Sequence, residues 1–191
     1  MDMAEKILMA CRMLIEQRGF RGFTVDDLAL NAGVSKRTIY KYYRSKDEII
    51  EKVVEVFLTK MQEEVNKLIN GNEKLPDIPN IMLKNLIKHG RFIIMPNSLE
   101  DLKLYYPHIW QKIDNFRIEQ MRKLIEKALN ECNIVEIKEV NPTIISTALA
   151  AAVQAVLNPI FILDNNIGFE DAANQLGKLF SVIFKSIKCE T

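Results

Sequence analysis

The chain has 191 residues, 48% of them hydrophobic and 27% charged. It can therefore bury a sizeable core, which excludes a disordered tail and a small disulfide scaffold. Its 26 basic and 25 acidic residues leave a net charge of +1, so any affinity for nucleic acid has to arise from local charge. Cys11, Cys132 and Cys189 lie far apart at no metal-ligand spacing, and no secretory signal opens the chain. They read as reduced thiols of a cytoplasmic protein, each acting as a small buried hydrophobe.

Apolar residues recur at helical spacing almost throughout, and alternating β-branched runs are missing. A first helix is predicted over Asp2–Arg18, with Ile7, Ala10, Cys11, Leu14 and Ile15 on one face and Gly19 ending it. Two short helices follow, over Thr24–Ala32 and Ser35–Tyr43. A long helix begins after Ser45 and carries Ile49, Val53, Val56, Phe57, Met61, Val65 and Leu68 at helical spacing. Gly71, Asn72, Pro76 and Pro79 mark a connection. Helices are then predicted over Asn80–Met95, Ser98–Tyr105, Pro107–Cys132, Pro142–Asp164 and Phe169–Lys188, about nine in total. Pro107 and Pro142 suit a first turn, where a missing N–H costs nothing, and Asn141 suits an N-cap. No charge occurs from Val140 to Leu163, but the stretch is rich in alanine, contains Gln154, Asn158 and Pro159, and has acidic flanks without an aromatic belt. It reads as a helix buried in a protein interface rather than a membrane span.

The segment from Thr24 to Glu48, TVDDLALNAGVSKRTIYKYYRSKDE, carries three helix starts. Thr24 and Asp27 have capping-box spacing, Ser35 can cap the next helix, and Ser45 with Glu48 predicts a full capping box for the third. Gly33 can take the left-handed conformation that stops one helix and turns the chain into the next. Ala29 is small where two crossing helices must approach, and Leu28, Val34 and Ile39 supply the core between them. Two short helices across a tight glycine turn make a helix-turn-helix, whose second helix enters the major groove of DNA. From Gly33 to Lys46 there are five basic residues, Lys36, Arg37, Lys41, Arg44 and Lys46, and no acid. Tyr40 and Tyr42 add hydroxyls, and exposed helix N-termini offer N–H groups to phosphate.

The run GVSKRTIYKYYRSKDEI, preceded by TVDDLALNA and by a first helix ending in RGF, resembles the DNA-binding domain of the TetR family of bacterial transcriptional regulators. The resemblance covers roughly residues 5–52; beyond them only helix number and length agree. It implies an all-α fold: an N-terminal three-helix DNA-binding domain over 1–48, then a C-terminal helical ligand-binding and dimerisation domain over 49–191. It implies that Thr24 touches the DNA backbone and that Ser35, Lys36, Arg37, Thr38 and Lys41 face base edges or nearby phosphates. Tyr40, Tyr42 and Lys46 would contact phosphates. Tyr43 stands where the family usually has Phe, so its ring is expected in the core. Arg37 stands where a small residue is common, and its guanidinium can grip either a guanine or a phosphate.

In the last helix Phe169, Ala172, Ala173, Leu176, Leu179, Phe180, Ile183, Phe184 and Ile187 form one apolar stripe. The resemblance implies that the last two helices pair with their copies across a two-fold axis. The expected contacts are Ala148, Ala151, Ala152, Ala155, Leu176, Phe180, Ile183 and Phe184, with an intramolecular core as the other reading. In the middle helices Phe92, Met95, Tyr105, His108, Trp110 and Phe116 either line a ligand cavity or are ordinary core, and Gln154 and Asn158 are candidate cavity hydrogen-bonders. The expected partners are a palindromic double-stranded operator, a second copy of the chain and an unidentified small-molecule effector, with no membrane. The two histidines have no second ligand at metal spacing, and the seven glycines make no phosphate-cradling pattern. No catalytic residue, metal or cofactor is therefore expected. The alternative to a ligand-released repressor is a DNA-binding protein without a small-molecule ligand, either architectural or controlled by a protein partner.

Overall fold

A computed structural model describes residues 2–74, 77–131 and 140–186. Among them every regular element is helical: α1 Met3–Arg18, α2 Val25–Ala32, α3 Lys36–Tyr42, α4 Lys46–Asn70, α5 Ile78–Ile94, α6 Pro96–Tyr105, α7 Pro107–Glu131, α8 Pro142–Val156, α9 Pro159–Asp164 and α10 Phe169–Ser186. Cys132, Cys189 and the expected helix ends at Cys132 and Lys188 lie outside the described residues. The all-α architecture stands, with one correction: ten helices rather than about nine lie among the described residues, because the helix expected over Pro142–Asp164 is two, α8 and α9. Proline lacks the N–H that would continue the ladder and drives the residue before it out of the helical region. Pro159 thus breaks the rod at Leu157–Asn158, where the Leu157 N–H makes the closing bond to the Val153 carbonyl at 3.0 Å.

The residues pack into two compact units, Met1–Thr59 with His89–Gln111, and Lys60–Lys88 with Lys112–Thr191. Helices α4, α5 and α7 each contribute to both. The first unit is built on Ile7, Ile15, Phe20, Leu28, Ile39, Ile49 and Phe92, all fully buried. Each such side chain taken out of water is worth ~1.5–3 kcal/mol, against almost nothing for a solvated ion pair. This apolar core therefore holds the short helices, rather than exposed pairs such as Arg18–Asp27 at 3.2 Å. Phe92 meets Phe57 edge-on at 5.5 Å and lies under the Arg12 guanidinium at 5.3 Å. Cys11 is fully buried, and that burial pushes its thiol up to about 12.

The second unit has a core of Val65, Met82, Leu83, Leu124, Ile125, Leu149, Ala150, Val153, Ala173, Leu176 and Phe180. Gly177 lies against Asn80, where an added Cβ would sit 3.3 Å from backbone and side chain, so α10 and α5 approach closely there. No helix among the described residues is long and apolar enough to cross a membrane.

Candidate functional site

The first unit presents the helix-turn-helix. At the start of α2 the capping box closes in both directions. The Asp27 N–H donates to Thr24 Oγ1 at 3.1 Å, and the Thr24 N–H donates to Asp27 Oδ2 at 2.7 Å. The Thr24 hydroxyl also donates to that carboxylate at 2.6 Å. These bonds, and then the Arg18 guanidinium, hold the Asp27 carboxyl below the usual carboxylate range. Gly33 ends α2 in the left-handed region, at φ 61° and ψ 40°. Its N–H bonds the Leu30 carbonyl at 3.1 Å, and the Val34 N–H bonds Ala29 at 3.0 Å, so the turn satisfies its own backbone. Ala29 is 8% exposed between the helices, as a close crossing requires.

Ser35 then caps α3, its Oγ accepting the Thr38 N–H at 3.0 Å and lying 2.8 Å from Thr38 Oγ1. With Ile39 and Tyr43 turned into the core, Lys36, Arg37, Tyr40, Lys41 and Tyr42 share the exposed side, and Thr38 is half-exposed. Lys36 Nζ is paired with the Asp26 carboxylate at 3.0 Å, which pushes its pKa up. Tyr43 buries its ring as expected, with its hydroxyl 3.5 Å from the Ala4 carbonyl.

Two details differ from expectation at the start of α4. The Glu48 N–H does donate to Ser45 Oγ at 3.1 Å, but the Glu48 carboxylate accepts from the Arg44 N–H at 2.6 Å instead of the Ser45 N–H. The box therefore closes one residue early, on the N–H that the outgoing turn leaves within reach. Lys46 points inward. Its Nζ donates to the carbonyls of Phe23 at 2.7 Å and Arg21 at 3.4 Å, and sits 3.9 Å from the centre of the Phe23 ring. Partial burial lowers its pKa. The same turn is tied on its other side, where the Arg21 N–H donates to Asp101 Oδ2 at 2.9 Å and its guanidinium stacks on Tyr105 at 3.8 Å.

The second unit contains a cavity of about 70 Å³, lined by Met61, Val65, Met82, Leu83, Leu86, Phe116, Arg117, Gln120, Met121, Ala150 and Val153. Of the eight residues expected at a ligand site, Phe116 alone is among these. Phe92 is core of the first unit, Tyr105 is exposed on Arg21, His108 is exposed, and Trp110 stacks with Lys103 at 4.9 Å. Met95, Gln154 and Asn158 are half-buried and line no part of it. Aromatic density along the sequence marks helices with much to bury but not which of their faces meets a void. Arg117, Gln120 and the three methionines were legible only as an i, i+3, i+4 group on one long helix and two scattered thioethers.

The same unit has an exposed apolar face. Along α8, Ile144, Ala148, Ala151 and Ala155 are exposed and Ala152 half-buried. On α10, Leu179, Val182 and Ile183 are exposed, whereas Leu176 and Phe180 are in the chain's own core. The side chain of Phe184 lies outside the described residues.

The family model for bacterial regulatory proteins of the TetR family matches residues 7–53, which span the whole helix-turn-helix. The uncharacterized HTH-type transcriptional regulator YvaF of Bacillus subtilis is 31% identical, over 98% of this chain and 97% of its own. The chain belongs to the TetR family. It is a DNA-binding transcriptional regulator and not an enzyme. The HTH-type regulator YvdT of the same bacterium is 24% identical over 69% of this chain and 70% of its own. Among solved structures, reduced NemR of E. coli superposes with a TM-score of 0.76 over the full length of both chains at 15% identity. SmeT, the repressor of the Stenotrophomonas maltophilia multidrug efflux pump SmeDEF, does so at 0.70 over 96% of this chain and 88% of its own, at 17% identity. Those two likenesses carry the TetR fold to the whole chain, beyond the segment that the motif covers.

Proposed function

We propose that this TetR-family regulator is a repressor: a dimer that binds a palindromic operator and is released from it by a small molecule. The observation that carries the DNA-reading part is the outer side of α3, where Lys36, Arg37, Lys41 and the hydroxyls of Tyr40 and Tyr42 stand together on a helix fixed by the Gly33 turn. Thr24, Ser35 and Thr38 add polar contacts at the helix starts, where backbone N–H groups favour phosphate oxygens. The Lys36–Asp26 pair is solvated and screened, so a phosphate can displace the carboxylate. Lys46 acts from inside, holding the Arg21–Phe23 turn that presents Thr24.

The apolar face of α8 and α10 supports pairing with a second copy, through Ile144, Ala148, Ala151, Ala155, Leu179 and Ile183. Two reading helices then stand on half-sites about one turn of DNA apart, ~34–36 Å. The cavity supports the effector. α4 opens directly after the reading helix and lines the cavity with Met61 and Val65, so a ligand that displaces them acts on the helix that carries the head. This reading divides the roles near 48/49: residues 1–48 read DNA, and residues 49–191 sense and dimerise. Such a ligand distinguishes two shapes, and operator must weaken its binding by the factor it weakens the operator's.

Fluorescence anisotropy tests the reading, using DNA from upstream of the gene and its neighbours, excess competitor and two salt concentrations. Tight, competitor-resistant binding to one fragment is expected. Weak binding, equal on every fragment and lost with salt, would instead mark an architectural DNA binder.

A further inference from the structure

Of the eleven described residues around the cavity of the second unit, two are polar, Gln120 and Arg117, and both are engaged elsewhere. The Gln120 amide exchanges two hydrogen bonds with Gln62, at 2.9 and 3.0 Å. Gln62 also donates to Asn66 Oδ1 at 2.9 Å, which fixes the pair from outside the cavity. The Arg117 guanidinium meets Asp114 at 3.5 Å and has a further interaction besides. Almost none of the surface that faces the space is polar. Gln120 and Arg117 therefore line it with their methylenes, beside the thioethers of Met61, Met82 and Met121 and the small side chains of Ala150 and Val153. Such a wall offers an occupant neither a hydrogen bond nor a counter-charge. Burying a hydroxyl or an amide without a partner is costly, and burying an ion far more so. A water fares no better, since it needs about two to four polar partners.

From this wall we infer that the cavity takes a small uncharged hydrocarbon, a molecule with no group that needs a hydrogen bond. The inference rests on the effector reading above and names the class of that effector. Such a ligand gains the surface it withdraws from water and the dispersion contacts that the cavity lining lacks. A polar molecule of the same size gains no more and forfeits its hydration. The volume of about 70 Å³ sets the size. An apolar cavity of ~150 Å³ admits benzene, so a single ring enters this one only by opening it. The three methionines make that opening possible, because thioether side chains have three rotatable bonds and repack readily.

Isothermal titration of the full chain with toluene, phenol, benzylamine and benzoate tests this. Toluene is expected to bind at least about tenfold more tightly than phenol, whose buried hydroxyl would go unpaired. Benzylamine and benzoate should bind more weakly still. Two variants of the wall locate the binding. Ala150→Leu fills the cavity and should abolish toluene binding while the chain still melts cooperatively. Val153→Ala enlarges it, and should melt lower yet bind toluene more tightly, so the site stays testable even if the filled variant fails to fold. Phenol or benzoate binding as tightly as toluene, toluene indifferent to the wall variants, or no binding by any probe would each overturn the inference. Operator anisotropy in the same samples separates it from the reading beneath it. Toluene binding that follows the wall variants but leaves the operator bound supports the site and sinks effector release. A charged compound that frees the operator while toluene fails to bind does the reverse.

Discussion

Gly33 shows what a single residue contributes to the reading head. At φ 61° an L side chain is strained, although the space beyond is open, with Lys6 Nζ the nearest atom at 3.8 Å from an added Cβ. Gly33→Ala is therefore expected to cost ~1–2 kcal/mol through the backbone alone, read as a lower denaturation midpoint with an unchanged m-value. Asp27 supplies a pH dependence of known sign. Its folded pKa is depressed, by Thr24 first and Arg18 after, so the fold favours the ionised form. That stabilisation is complete above the ordinary carboxylate value of about 4 and is lost as the pH falls through the lowered one. Thr24→Val should raise the Asp27 titration midpoint seen by NMR and flatten the acid limb of the stability curve. A midpoint that stays put would show that Arg18 alone sets it.

At the scale of the element, α3 divides its work between a buried and an exposed side. Ile39 is fully buried and Tyr43 nearly so, and these two decide that Arg37, Tyr40 and Lys41 face out. Tyr40→Phe and Lys41→Ala are expected to weaken operator binding without moving the melting temperature. The lysine change should flatten the salt dependence by about one unit if its contact is to a phosphate. Lys46→Ala belongs to another class. Its ammonium is spent on the carbonyls of Arg21 and Phe23, so the variant should melt lower and bind less tightly while the salt slope holds. A slope reduced by a full unit would place Lys46 on the DNA instead.

The whole molecule sets the geometry that an operator measures. The side of α10 carrying Leu179, Val182 and Ile183 is exposed in the single chain, next in sequence to Phe180, which is buried. On the proposed pairing, the unaltered chain should scatter light as twice its 22.0 kDa mass, and Leu179→Asp should leave the fold intact and yield a monomer. Operator affinity should fall with it, because each half-site then has to be bound independently. A variant that stays dimeric would move the interface off this face.

How much of this was legible beforehand varied with the range of the forces involved. The reading head was nearly complete in the sequence: Thr24 with Asp27, the Gly33 turn and the Ser35 cap are contacts across one to four residues, which local chemistry dictates. The long-range choices were not. The sequence marks Phe92, Tyr105 and Trp110 as groups with surface to bury, yet the packing of the helices buries only Phe92, leaving Trp110 half-buried and Tyr105 exposed. The same holds for α10, whose single apolar stripe the fold parts into a buried Leu176–Phe180 side and an exposed Leu179–Ile183 side. By itself the sequence determined the family and nearly all of the helices, because periodicity and capping are local. The break at Pro159 was also local, but tertiary structure alone decided the inward turn of Lys46 and the lining of the cavity, because each depends on contacts that periodicity does not encode.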